Sequence, residues 1–176
     1  MARVTAIVAV PLALALSGSE GAIRFALVFL ILLAPRFLHI PAPVDTAFAV
    51  ALLVAAWAGA AGWYHAAWWV DVVVHFITTG VSAGATYLML VHLGILVRAD
   101  LRGSVRERSR LVLLVVALGL AIGALWELYE WAARNWLGNT SIHVGYDDTI
   151  LDLAMDGLGS LAVALVLVAA LPRRST

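Results

Sequence analysis

Acidic side chains and one histidine recur at helical spacing within segments that are otherwise almost free of charge. Residues three or four positions apart share one face of an α-helix, so Asp71 lies with His75 and Glu127 lies with Glu130. A third set follows the same spacing of four residues: Asp148, Asp152 and Asp156. Carboxylates and an imidazole grouped in this way suit a divalent cation, a proton relay or a hydrogen-bond network between helices.

The energetic cost of these charges indicates that they have partners. A carboxylate at the centre of a membrane costs roughly 2.5 to 3.5 kcal/mol on insertion scales, and several packed together repel one another. Protons, a bound cation or Arg134 could neutralise them. Because Arg134 lies four residues after Glu130, we expect these two side chains to form an ion pair.

A bound divalent metal ion is the leading hypothesis for the cluster. Oxygen-rich ligation with one imidazole suits Mg²⁺, Mn²⁺, Ca²⁺, iron or Zn²⁺ without choosing among them. The predicted metal ligands are Asp71, His75, Glu127, Glu130, Asp152 and Asp156. A metal ion here could activate water against a phosphoryl or acyl group, with Glu127 or Asp152 as the catalytic general base.

Purely structural interpretations of the same residues stay open. Asp71 and Asp148 stand where helices are predicted to begin, so each could cap a helix and complement its dipole. A hydrogen-bond network between helices would satisfy the four deeper residues: His75, Glu127, Asp152 and Asp156.

The composition places the chain in a membrane. Of its 176 residues, 64% are hydrophobic and 12% are charged, and the mean hydropathy is +1.00. Eleven arginines balance eleven acids, so the net charge gives no indication of a nucleic-acid partner. The absence of cysteine excludes disulfides and thiolate sites, and the motifs of serine hydrolases and P-loop proteins are absent from the sequence.

The elements that must position the polar residues are apolar runs of helical length. These runs predict one all-α transmembrane domain over residues 1–176, a bundle of about six helices. Within it we expect an N-terminal helical hairpin at 1–43 and a core bundle at 44–171 that carries the polar site. The runs are 4–16, 22–34, 46–62, 71–97, 111–133 and 149–171. Residues 4–16 also fit a cleaved signal peptide, and we favour the membrane helix. Gly80 with Gly84, and Gly119 with Gly123, predict close helix packing.

An arginine-rich segment predicts the orientation of the bundle. Residues 98–110 contain five arginines and two acids, so we expect this segment to be a cytoplasmic loop. Counting helices from it places both termini in the cytoplasm and the polar cluster on the extracytoplasmic side of the membrane. The predicted location is the cell (cytoplasmic or inner) membrane, with several passes.

Three motifs also carry a resemblance to a known family. Asp71 and His75 open one helix, a Glu-x-x-Glu-Trp sequence runs from Glu127 to Trp131, and Asp152 and Asp156 precede two glycines. In these features the chain from Trp69 to about Leu161 resembles the YjdF-like bacterial inner-membrane proteins, a family of unknown function. In the family pattern an acid stands about three residues before the first aspartate of the final pair, whereas here Asp148 stands four residues before Asp152. The resemblance implies a multi-pass membrane protein with a recurring polar site, and it implies no particular reaction.

The sequence thus predicts a membrane protein that binds a divalent cation and acts on a lipid or lipid-linked substrate. Two other classes stay open: a transporter coupled to protons or cations, and an accessory or scaffold subunit of a membrane complex. The expected partners are the lipid bilayer, such a substrate and a membrane-complex partner, and no nucleic acid is expected.

Overall fold

The structure, a computed structural model, describes residues 19, 21–35, 37–38, 40–99, 105–139, 142 and 144–170. In these ranges every regular element is a helix, and no strand occurs. The helices are α1 (Gly21–Pro35), α2 (Ala42–Ala60), α3 (Trp63–Ala66), α4 (Trp68–His92), α5 (Val105–Trp136) and α6 (Tyr146–Ala170). The prediction of an all-α bundle is confirmed.

Four of these helices are long and apolar enough to cross a membrane. They contain 19, 25, 32 and 25 residues in α2, α4, α5 and α6, and about 20 apolar residues suffice to span the hydrocarbon core. α1 is a shorter apolar helix. The predicted helix at residues 4–16 lies outside the described residues, and the cytoplasmic placement of the termini stays a prediction.

The helix ends differ from the sequence prediction by several residues, and the starts of α5 and α4 change the interpretation of nearby charged residues. α5 begins at Val105, so the expected loop at 98–110 is in part a helical extension, where Arg110 donates a 2.8 Å hydrogen bond to Glu107 one turn earlier. α4 begins at Trp68 with Ala67 at its N-cap and no side-chain cap. Asp71 therefore lies inside the first turn and does not cap the helix, although its charge still complements the helix dipole there.

Two apolar clusters hold the bundle together and share α4. One joins α1, α2 and α4 around Phe25, Phe48 and Ala85. The other joins α4, α5 and α6 around Tyr87, Leu111 and Ala164. Because α4 takes part in both, its polar residues are enclosed on several sides.

Glycines let α4 and α6 approach to backbone contact. A Cβ atom built on Gly80 would lie 2.5 Å from the carbonyl oxygen of Gly159. One turn further, a Cβ atom on Gly84 would lie 2.7 Å from Val163 Cγ1. Residue numbers increase together along this contact, so α4 and α6 run parallel, as the predicted alternation of helix directions requires. The close packing expected from the glycine spacing is confirmed.

Candidate functional site

His75 lies at the centre of the site, between carboxylates from two helices. Its Nδ1 atom is 3.1 Å from Asp156 Oδ1. On the other side of the ring, Nε2 lies 3.8 Å from Asp71 Oδ1 and 4.0 Å from Asp152 Oδ1. His75, Asp152 and Asp156 are buried, and Asp71 is partly exposed.

The local helix geometry explains this arrangement. Asp71 and His75 are one turn apart on α4, and Asp152 and Asp156 are one turn apart on α6. The glycine contact between Gly80 and Gly159 lies just beyond them and brings the two helices together. Since α4 and α6 run parallel, both pairs lie at the same end of the bundle.

Three of the predicted metal ligands come together. One ligand atom from each of Asp71, His75 and Asp152 lies within 4.8 Å of the other two. Asp152 is 2% exposed, and its Oδ2 atom has no hydrogen-bond partner among the described residues. A buried carboxylate oxygen that accepts no hydrogen bond is unfavourable, and a cation or a proton bound to it would remove this cost.

Asp156 lies on the opposite side of the imidazole from this group. With the proton on Nδ1, His75 donates a hydrogen bond to Asp156 Oδ1 and directs the lone pair of Nε2 toward Asp71 and Asp152. This arrangement gives Asp156 the geometry of a residue that orients a ligand, whereas the sequence alone predicted it to be a ligand.

The two glutamates of α5 lie beside the cluster and make their own contacts. Thr149 Oγ1 donates a 2.6 Å hydrogen bond to Glu127 Oε2. The Oε1 atom of Glu127 is buried, and none of the residues that the structure describes forms a hydrogen bond with it. The indole of Trp126 donates a 3.1 Å hydrogen bond to Glu130 Oε1. Glu127 and Glu130 are therefore near the site without belonging to the three-residue group.

The predicted ion pair between Glu130 and Arg134 is wrong for the part of the chain that the structure describes. The Arg134 guanidinium donates instead to the backbone carbonyl of Ile142. Spacing along one helix makes a pair possible, but here each side chain has a nearer partner on the neighbouring turn or loop.

Two cavities lie next to the cluster. The outer cavity, of about 600 Å³, is lined by polar groups that include Tyr64, Asp71, Glu130 and Asp148. The inner cavity, of about 470 Å³, lies between α1, α2, α4 and α5 and is lined mainly by apolar side chains together with His75. Three residues line both cavities: Arg24, Trp126 and Tyr129.

Sequence reasoning missed Arg24, having taken Arg134 as the nearby positive charge. Arg24 is a lone charge within the apolar helix α1, and such a residue inside a membrane segment is itself a signal of a functional site. The side chain is buried. It packs against Gly59 of α2, where an added Cβ atom would lie 1.7 Å from the guanidinium Nη1.

Tyr64, on the short helix α3, belongs to the wall of the outer cavity. Its hydroxyl donates a 3.0 Å hydrogen bond to the carbonyl of Ala55. Burial raises the pKa of Tyr64 above its ordinary value, and the nearby charges of Asp71 and Glu130 raise it further. Tyr64 therefore supplies a neutral phenol to the cavity.

Comparisons with known proteins identify the family of the chain. No curated protein and no solved structure matches it. A family model described as a predicted membrane protein, DUF2238, matches residues 3–173. This match covers nearly the whole chain and confirms the resemblance to a membrane protein family of unknown function. The chain belongs to the DUF2238 family of predicted membrane proteins.

Proposed function

We propose that the protein binds a divalent cation between Asp71, His75 and Asp152, and that the cation serves a reaction on a lipid or lipid-linked substrate. One observation carries this proposal. Asp152 is almost fully buried and stands beside an imidazole and a second carboxylate, and no residue in the described part of the chain forms a hydrogen bond with its Oδ2 atom.

Charge balance supports a cation at this position. Two carboxylates close together in a buried site repel each other unless a positive charge lies between them. A divalent ion would balance both, and an imidazole as third ligand suits Mn²⁺, Zn²⁺ or iron. His75 is already oriented by Asp156, an arrangement common around metal-bound histidines.

The surroundings of the site support a reaction on a substrate. Asp71 lines the outer cavity, so one side of the proposed cation faces a space that admits water or a substrate group. A divalent cation there would polarise a phosphoryl or acyl oxygen and activate water. Of the two predicted general bases, Glu127 has a buried oxygen that no described residue contacts by a hydrogen bond, whereas Asp152 is assigned to the cation. We therefore assign the general base to Glu127.

The position of the arginines supports an extracytoplasmic site in the inner membrane. Arg106, Arg108 and Arg110 lie in the first turns of α5, and Glu127 lies about five turns further along the same helix. By the positive-inside rule the arginine end faces the cytoplasm, so the polar cluster faces the other side.

The test is the metal content of the purified protein, measured by mass spectrometry on three forms. Wild type and Asp147→Asn should each hold about one metal ion per chain, and Asp152→Asn should hold none. Asp147 is a matched control because it is an exposed aspartate in the first turn of the same helix. Equal metal content in Asp152→Asn and wild type, with both folded by circular dichroism, would overturn the proposal.

A second candidate is proton-coupled transport, favoured by the buried hydrogen bond between His75 and Asp156. Paired imidazole and carboxylate groups inside a membrane can pass a proton between them. The candidate predicts that Asp156→Asn abolishes a flux driven by a pH gradient in reconstituted vesicles while the metal content stays unchanged. If Asp156→Asn leaves every flux at the wild-type rate, this candidate fails.

A further inference from the structure

The two cavities together have the form of a binding site for an amphipathic molecule. The outer one is the more polar of the two and the inner one is mainly apolar, and both are lined by Arg24, Trp126 and Tyr129. We propose that the site holds a phosphate-bearing membrane lipid, with its headgroup in the outer cavity and a hydrocarbon chain in the inner cavity. The inference rests on the proposed function and names the substrate class of that site.

The inner cavity suits a hydrocarbon chain. Its walls carry aliphatic side chains from four helices, among them Val28, Leu52 and Ile122. A volume of about 470 Å³ falls within the roughly 300 to 1,000 Å³ usual for small-molecule sites. Leu27 of α1 and Leu125 of α5 also line it and are 42% and 66% exposed. The cavity therefore reaches the lipid-facing surface, where an acyl chain could enter from the bilayer.

Arg24 suits the phosphate of the headgroup. A guanidinium presents a planar fork of donors that matches a phosphate, and it keeps its charge when buried. The absence of a side chain at Gly59 leaves the space in which the Arg24 guanidinium lies, at the junction of the two cavities.

The proposed cation would lie at the same junction. His75 lines the inner cavity and Asp71 lines the outer cavity, so their shared ligand would stand between them. The outer cavity also carries the carboxyl groups of Glu130 and Asp148, which in their ionised form oppose an anionic headgroup when no cation is bound. Binding of the lipid phosphate should therefore depend on the metal ion, and the lipid should in turn tighten binding of the metal ion.

The test compares lipid binding by native mass spectrometry in detergent. The probe is dioleoyl phosphatidic acid, and two partial probes are dioleoylglycerol, which lacks the phosphate, and inorganic phosphate, which lacks the chains. The metal-loaded protein should bind phosphatidic acid at about one per chain and bind either partial probe at least about tenfold more weakly, because each omits one half of the contacts.

Two pairs of variants locate the lipid. Ile122→Trp fills the inner cavity, and Leu128→Trp is its control because Leu128 lies on the same helix and is 62% exposed. Arg24→Gln removes the buried charge, and Arg134→Gln removes an exposed one. Ile122→Trp and Arg24→Gln should weaken phosphatidic acid binding about tenfold or more, and the controls should change it by about twofold at most.

The metal content of the same samples separates this inference from the proposed function. Wild type that holds metal yet binds no phosphatidic acid would overturn the lipid inference alone. The same follows if Ile122→Trp binds the lipid as Leu128→Trp does, or if inorganic phosphate binds as tightly as the lipid. A wild-type protein without metal would overturn the proposed function and, with it, the metal-dependent lipid site. Ile122→Trp should keep its metal, since Ile122 is not one of the three ligands.

Discussion

Replacement of Gly123 by alanine should disturb the site through a single methyl group. A Cβ atom at Gly123 would lie 1.9 Å from Asp156 Oδ2 and 2.6 Å from its Cγ. Asp156 is fully buried and its Oδ1 atom holds His75. The carboxylate must therefore rotate or α5 must move away from α6, and either change strains or breaks the hydrogen bond to His75.

The expected magnitude follows from three terms. Overpacking costs about 1 to 3 kcal/mol, loss of a hydrogen bond to a charged group costs about 1.5 to 3 kcal/mol, and alanine gains about 1 kcal/mol over glycine in a helix. The net loss of unfolding free energy is roughly 1.5 to 5 kcal/mol for Gly123→Ala.

The assay is unfolding in detergent micelles, followed by circular dichroism, with Gly157→Ala as the control. A Cβ atom at Gly157 meets only the flexible tip of Leu120, at 3.4 Å. Gly157→Ala should therefore be as stable as wild type or up to about 1 kcal/mol more stable. If Gly123→Ala is at least as stable as wild type, the packing of α5 on Asp156 described above is wrong.

Three further changes test neighbouring contacts by the same assay. A Cβ atom at Gly159 would lie 1.8 Å from the carbonyl oxygen of Phe76. Because this oxygen belongs to the backbone, no side-chain rotation can relieve the clash, and Gly159→Ala should be less stable than Gly123→Ala. Equal stability of the two variants would contradict the close contact at Gly159. Thr149→Val removes the hydroxyl that donates to Glu127 and should lower the free energy of unfolding by about 1.5 to 3 kcal/mol. Thr149→Ser keeps the hydroxyl and should be as stable as wild type. If Thr149→Ser is as unstable as Thr149→Val, the hydrogen bond is not the cause of the loss. Tyr64→Phe removes a hydrogen bond to α2 and should lower the free energy of unfolding by about 1 kcal/mol. The pKa of Tyr64 is raised from 10.0 in the folded protein, so the contribution of its neutral phenol to the free energy of unfolding is complete below pH 10 and falls as the pH rises above that value. A stability difference between wild type and Tyr64→Phe that grows with pH above 10 would contradict this expectation.

Local spacing predicted the parts of the site that lie on one helix. Asp71 with His75, and Asp152 with Asp156, are one turn apart, so their common face follows from helix geometry alone. The apolar runs likewise predicted the helices, because length and hydropathy are properties of the local sequence.

Contacts between helices could not be read in the same way. The position of Asp156 on the far side of His75 depends on the rotation of α6 against α4, and glycines in both helices determine that rotation. Arg24 lies far from the acidic residues in sequence, and its place beside them depends on the room at Gly59. The expected pair of Glu130 and Arg134 does not form, because spacing alone does not choose between alternative partners. Trp126, one turn earlier on the same helix, donates to Glu130, and Arg134 donates to the backbone carbonyl of Ile142 in the following loop.

Electron spin-echo spectroscopy of Mn²⁺ added to the purified protein tests directly whether His75 binds a divalent cation. Bound Mn²⁺ should show the modulation of a coordinated imidazole nitrogen in wild type and in His65→Gln, which removes a second histidine that lines the outer cavity. His75→Gln should show no such nitrogen signal. A nitrogen signal that survives in His75→Gln, or bound Mn²⁺ in wild type with no nitrogen coupling, would contradict binding of the cation by His75.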